Sequence, residues 1–217
     1  MLHKINIYNI KEHKFNSSNK LITLLLCLVT ISCTLNVAET SKNTMIRDLK
    51  DISQEFNKLD NLLVVKVSNQ ELYHLKKGII VRTYSVSTSM YGTGSKENSF
   101  KTPLGKHKIS EKIGEGLPEG AILKARQWSG AIANIIKEPI DTDFDVVTSR
   151  ILGLTGLEEG KNLGPGVDSK SRYIYIHGTA EEGLIGKPAS DGCVRMYNAD
   201  VISLFDKVSV DTEVWII

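Results

Sequence analysis

A mainly β domain, a sandwich or barrel with a few short helices, preceded by an N-terminal amphipathic helix, is the fold class this sequence predicts. Three observations carry it. From Leu62 onward, short β-branched or alternating runs recur between turn-forming Gly, Asn, Ser and Lys-Gly clusters. Apolar residues at helical spacing occur in two stretches, one before the strands and one near the end. No strand–helix–strand rhythm accompanies them, which excludes a parallel α/β sheet. The 217 residues are 41% hydrophobic and 24% charged, so a packed core is expected and wholesale disorder is not.

The elements follow in order. Residues 21–31 are apolar and uncharged, behind Lys4, Lys11, Lys14 and Lys20. A basic region followed by a short apolar run reads as an export signal over residues 1–32. This run of 11 residues is short for a spanning helix of about 20. Cys33 follows Ser32 as in a lipoprotein signal, although Thr30 stands where Leu is usual. The alternatives are acylation at Cys33, ordinary cleavage nearby, or an uncleaved signal anchor. The expected location is therefore the periplasm or cell envelope, with membrane contact through the N-terminal segment.

Residues 33–60 read as a tether and an amphipathic helix, with Ile46, Leu49, Ile52, Phe56 and Leu59 on one face. Strands are predicted over 62–67, 71–75, 79–86, 105–110, 121–128, 146–154, 173–176 and 213–217, within a domain spanning 61–217. Residues 87–101 and 111–120 read as loops. Val201, Leu204, Phe205 and Val208 form a helical stripe that Asn198 is placed to cap.

Removing residues 1–32 changes the charge. Four Lys and one Glu leave with them, so 23 basic and 24 acidic residues remain. A nearly neutral chain has no electrostatic footprint for nucleic acid. Of three cysteines, Cys27 lies inside the signal and Cys33 at its end. If Cys33 is acylated, Cys193 is the only thiol left in an exported chain, and it is either inert and buried or reactive.

The chemistry concentrates near that thiol. Tyr173-Ile-Tyr-Ile is a strand ending at His177-Gly178-Thr179. Sixteen residues after the histidine comes Cys193, within Ser190-Asp191-Gly192-Cys193-Val194-Arg195. A nucleophilic thiol needs a base or cation that raises its thiolate fraction, and imidazole is the usual one. It needs donors for the oxyanion, which the N–H groups of Gly192 and Cys193 would supply. It needs open backbone, which Gly192 provides. The Gly178 carbonyl is a candidate to orient His177. Taken singly, each residue has a plainer role, because a lone Cys is most often a buried small hydrophobe. Arg195 is either a surface charge or a carboxylate clamp. His74, His107 and His177 are too scattered for a metal site, so no metal or cofactor is expected. A phosphate-binding Gly-Lys-Ser/Thr loop and a Gly-x-Ser-x-Gly elbow are both missing.

At these residues the sequence resembles the L,D-transpeptidase catalytic domain (YkuD-like). That family carries His-Gly at a strand end and Ser-His-Gly-Cys, then an apolar residue and Arg or Asn. Thr102-Pro103-Leu104-Gly105 is similar to its Thr-Pro-x-Gly segment, and the resemblance runs over about residues 60–217. It implies a β-sandwich-like fold, Cys193 as nucleophile, His177 as base oriented by Gly178, Ser190 beside the site and Arg195 at the substrate. The implied reaction is on peptidoglycan stem peptides. The thiolate attacks a tetrapeptide, releases D-alanine and passes the acyl group to an amine, making 3→3 cross-links or attaching a lipoprotein to the wall. Carbapenems are expected to acylate the cysteine.

One position departs from the family. Asp191 stands where it has His, and an anion two residues from the thiol opposes thiolate formation. Asp191 either points away, pairs with Arg195 or binds a substrate ammonium group. Two rival functions stay open: an L,D-carboxypeptidase or amidase on the same scaffold, and a wall-binding protein with a dead site.

Overall fold

The structure is a computed structural model and describes residues 59–142 and 146–217. The export signal, the tether and nearly all of the amphipathic helix expected from Ile46 lie outside the described residues.

Ten strands and one α-helix are found among the described residues: β1 Leu62–Lys66, β2 Glu71–Lys76, β3 Ile79–Ser87, β4 Gly105–Ile113, β5 Ala121–Lys124, β6 Gln127–Ile132, β7 Val147–Gly156, β8 Tyr175–Thr179, β9 Val194–Met196, α1 Asn198–Phe205 and β10 Glu213–Ile216. The expected mainly β class is what the molecule has. The strand order is β4-β10-β1-β2-β3-β9-β8-β7-β5-β6, and β4 also pairs with β7. That extra pairing closes the run from β4 to β7 into a barrel without a free edge, and β5–β6 hangs from β7 as a hairpin. Most neighbours are antiparallel. The exceptions are β1 with β10 and β8 with β9, both parallel.

The core is built from alternate residues of the strands, including Leu63, Val65, Leu152, Leu154, Ile176, Val194, Val214 and Ile216. The apolar face of α1 packs into the same cluster through Val201, Leu204 and Phe205. Each such side chain contributes about 1.5–3 kcal/mol by leaving water.

Several boundaries differ from the sequence reading. The strand expected over 121–128 is two strands, because Ala125 and Arg126 both take left-handed φ, 46° and 66°, and reverse the chain. β4 runs on to Ile113 because β7 pairs with it from His107 to Ile113. β8 starts at Tyr175 and not Tyr173, whose φ of 56° leaves the extended region. His177 consequently lies inside a strand that continues to Thr179. Helix α1 stops at Phe205, short of Val208. Asn198 does not cap it: Tyr197 occupies that position without a side-chain cap bond, and the Asn198 side chain turns into the barrel wall.

Candidate active site

The parallel pairing of β8 with β9 brings the two halves of the motif together. Ile176 faces Val194 and His177 faces Arg195, so the chain enters β9 from Cys193 beside Tyr175. Alternation then puts Tyr175 and His177 on one face of β8. The Tyr175 N–H donates to Cys193 Sγ at 3.3 Å, and the Cys193 thiol donates to the Tyr173 carbonyl at 3.3 Å. The half-buried thiol packs against a small apolar cluster of Leu123, Ile151 and Tyr175.

The loop carrying the thiol is fastened from several sides. Ser190 is fully buried, and its hydroxyl donates to the Cys193 carbonyl at 2.6 Å. The Gly192 N–H donates to Ser190 Oγ at 3.3 Å. Thr102, from the Thr-Pro segment, donates its hydroxyl to the Gly192 carbonyl at 3.0 Å. Gly192 has a φ of 118°, and a Cβ there would sit 3.3 Å from the Lys101 carbonyl oxygen, so glycine is required. Asp191 is exposed at the tip of this loop.

His177 is buried, and its Nδ1 lies 2.7 Å from the Gly178 carbonyl oxygen. A carbonyl only accepts, so Nδ1 carries the hydrogen, and in the neutral ring Nε2 is the nitrogen without one. Gly178 has no room for a side chain, since a Cβ would meet Asn198 Oδ1 at 2.6 Å. Asn198 is a buried hub beneath it. Its amide donates to the Thr179 carbonyl and to Glu182, each at 2.8 Å. Its oxygen accepts from Thr148 and Ser149, each at 2.6 Å.

Arg195 is buried against Glu181, with Nη1 2.8 Å from Oε2. Glu181 also accepts from the Thr142 N–H at 2.7 Å. The guanidinium expected at the substrate is thus spent inside the wall, 3% exposed. Among the described residues, the carboxylate seen on it is Glu181 and not Asp191.

An open pocket of about 380 Å³ lies beside the thiol, lined by Leu123, Val147, Ile151, Tyr173 and Tyr175, with Ala125 and Arg126 of the hairpin turn at its edge. Burial pushes the Tyr175 phenol up to about 12, against the pull of nearby Arg126, so the ring stays neutral. Arg126 is exposed and paired with Glu111 at 3.2 Å. Among the described residues, no three His, Cys, Asp or Glu side chains converge as a metal site.

Three contributors escape the sequence reading. Asn198 reads there as a helix cap, and Thr102 as part of a motif without a task. Arg172 carries no sequence signal, yet it lies within electrostatic reach of Cys193.

Comparison with known proteins agrees with the motif. The family described as the L,D-transpeptidase catalytic domain (YkuD) matches residues 60–216. YqjB of Bacillus subtilis (strain 168), which carries an L,D-transpeptidase designation, is 44% identical over 54 residues, 24% of this chain and 31% of that protein. The match therefore spans about a third of that relative. An L,D-transpeptidase structure from Mycobacterium smegmatis aligns with 73% of this chain and 58% of its own at 15% identity and a TM-score of 0.43. One from Xylanimonas cellulosilytica DSM 15894 aligns with 72% of this chain and 60% of its own at 17% identity and a TM-score of 0.42.

Proposed function

The chain belongs to the L,D-transpeptidase catalytic-domain family, and from that premise we propose that it is an exported peptidoglycan L,D-transpeptidase with Cys193 as nucleophile. The observation that carries this reading is the His177 ring held by the Gly178 carbonyl, on the strand that pairs with the one Cys193 opens. In this reading His177 Nε2 takes the thiol proton. The sulfur then bonds to the carbonyl carbon of the L-centre residue in a stem tetrapeptide. Backbone N–H groups of Gly192 and Cys193 receive the oxyanion. The Gly192 N–H is engaged by Ser190 at 3.3 Å, a long bond that a charged oxygen displaces.

Collapse of the intermediate breaks the C–N bond, His177 returns the proton to the departing D-alanine nitrogen, and a thioester remains. An amine then attacks the thioester, its proton passes to His177, and the sulfur leaves. The amine comes from a second stem peptide, giving a 3→3 link, or from a wall-attached lipoprotein. Water in its place gives the tripeptide. The pocket lined by Leu123, Ile151 and Tyr175 offers the acyl donor an apolar wall beside the sulfur. Residues 1–32 act as the export signal or anchor that delivers the domain to the cell envelope.

The test is incubation of the full chain with purified tetrapeptide muropeptides, with Cys193→Ala as control. Dimers that form with the wild type alone support the transferase. Tripeptide without dimers identifies the hydrolase. The absence of both, together with no carbapenem adduct in intact-mass spectra, identifies a wall-binding protein with a dead site.

A further inference from the structure

Asp191 places an anion near the thiol, while the family motif has a histidine there. The structure contains a cation that the sequence reading does not use. Arg172 sits in the turn just before β8, next to Tyr173, whose carbonyl accepts the Cys193 thiol. Its guanidinium reaches across to the segment that precedes β4. Nη2 donates to the Lys101 carbonyl at 2.7 Å and Nη1 to the Gly94 carbonyl at 3.4 Å. That same Lys101 carbonyl is the atom that crowds Gly192. Arg172 therefore joins the two stretches of chain that flank the Gly192-Cys193 step.

Backbone strain marks both stretches. Phe100 and Tyr173 have φ of 58° and 56°, a left-handed conformation that bulky side chains rarely adopt. Both rings are mainly exposed, at 54% and 61%. Their side chains therefore gain little from burial that would offset the strain. Their carbonyls are engaged instead: Phe100 accepts from Ser89 Oγ at 2.5 Å, and Tyr173 from Cys193. Strained residues persist where the surroundings over-determine them, and they cluster at functional sites. The Arg172 fork is the connection that spans both.

We propose that Arg172 is a positioning residue for the nucleophile, clamping residues 94–101 to the turn before β8 and supplying the fixed positive charge that favours the Cys193 thiolate over the opposing charge of Asp191. The electrostatics run the same way. Burial lowers the Arg172 pKa, while Cys193 and Glu97 act to raise it. Coupling between two charges is mutual, so the guanidinium favours the thiolate by as much as the thiolate favours the guanidinium. Among the described residues, the other titratable and charged groups around the thiol and Arg172 include His177 on β8, Asp191 in the thiol's own loop, Lys101 and Glu97 in the facing segment, His107 on β4, and Tyr173 and Tyr175. Arg126 and Glu111 lie beyond Tyr175.

The inference rests on the reading of Cys193 as nucleophile. It is tested on the full chain by the pH dependence of Cys193 alkylation with iodoacetamide, a neutral reagent, followed by mass spectrometry of the peptide containing Cys193. The midpoint is expected to rise by about one pH unit in Arg172→Gln, with a several-fold slower rate at neutral pH. Arg172→Lys keeps the charge and is expected to stay near the wild-type midpoint. Arg172→Met, which keeps the apolar stem, serves if the Gln variant does not fold. A wild-type midpoint in the folded neutral variants overturns the proposal, even if their thermal stability falls. Failure of the nucleophile reading shows separately, as a wild type that no carbapenem acylates.

Discussion

Arg195 shows what one buried charge can be asked to do. Two residues from Cys193, the proposed nucleophile, it looks like a substrate contact, but its side chain is 3% exposed and the Glu181 carboxylate facing it is 1% exposed. Two ions in a dry wall are stable only as a hydrogen-bonded pair, because each alone would be a desolvated, uncompensated charge. Glu181→Gln is expected to cost about 3–5 kcal/mol by removing the carboxylate that faces the buried Arg195 guanidinium. Urea unfolding of variant and wild type measures this. A change below about 1 kcal/mol would show that water reaches the pair. β9, which carries Arg195, begins directly after Cys193, so the same variant is expected to slow carbapenem acylation beyond what its stability loss explains.

At the scale of elements, the β5–β6 hairpin is the piece most loosely tied to the barrel. All six residues of β6 are exposed, and β5 meets β7 at a single register pair, Ile122 with Thr148. Its two-residue turn places Ala125 and Arg126 at positive φ, where Asn-Gly is the favoured pair. Ala125→Asn with Arg126→Gly is expected to stabilise the hairpin by about 1 kcal/mol. Amide hydrogen exchange measures it, as slower exchange confined to residues 121–132. Arg126 edges the pocket beside the thiol, so acylation by a carbapenem reports whether its charge matters as well. Helix α1 shows the opposite behaviour. Its apolar stripe is plain in the sequence, but the side chain expected to cap it is more useful to β8, where Asn198 meets four partners in a buried wall.

For the whole molecule, barrel closure buries histidines that would otherwise titrate near neutrality. His107 on β4 is fully buried, its Nδ1 donating to the Gly105 carbonyl and its Nε2 accepting from Ser169 at 2.9 Å. Burial drives its pKa down to about 4. His74 on β2 is lowered too, by burial first and then by Lys76 and Lys207. Both have folded-state values below their unfolded ones. Their contribution is therefore complete above about pH 6.5 and is lost as pH falls, for His107 toward about 4, because the unfolded chain binds protons that the folded chain refuses. For His107 alone this amounts to about 3 kcal/mol. Urea midpoints at pH 7 and 4.5 are expected to show the loss, and His107→Gln is expected to shrink it. A loss of equal size in that variant would place the acid sensitivity elsewhere.

The sequence alone carried the β class, most of the strands, and His177, Gly192 and Cys193 as the candidate site. Each of these is written locally: in a period of two, in turn residues between runs, or in a short motif whose residue types already state their use. Tertiary structure alone decided which polar side chains face the thiol and which are spent in the wall. Thr102 holds Gly192 from 90 positions away, and Arg172 reaches Lys101 across 71. Whether an arginine is a solvated charge, a substrate contact or a buried counter-ion depends on what closure of the barrel lays against it. Closure joins β4 to β7 and β9 to β8, pairings that no local pattern encodes. The dense run before His177 reads as an uninterrupted strand until Tyr173 is seen turned out of it, with its carbonyl on the thiol.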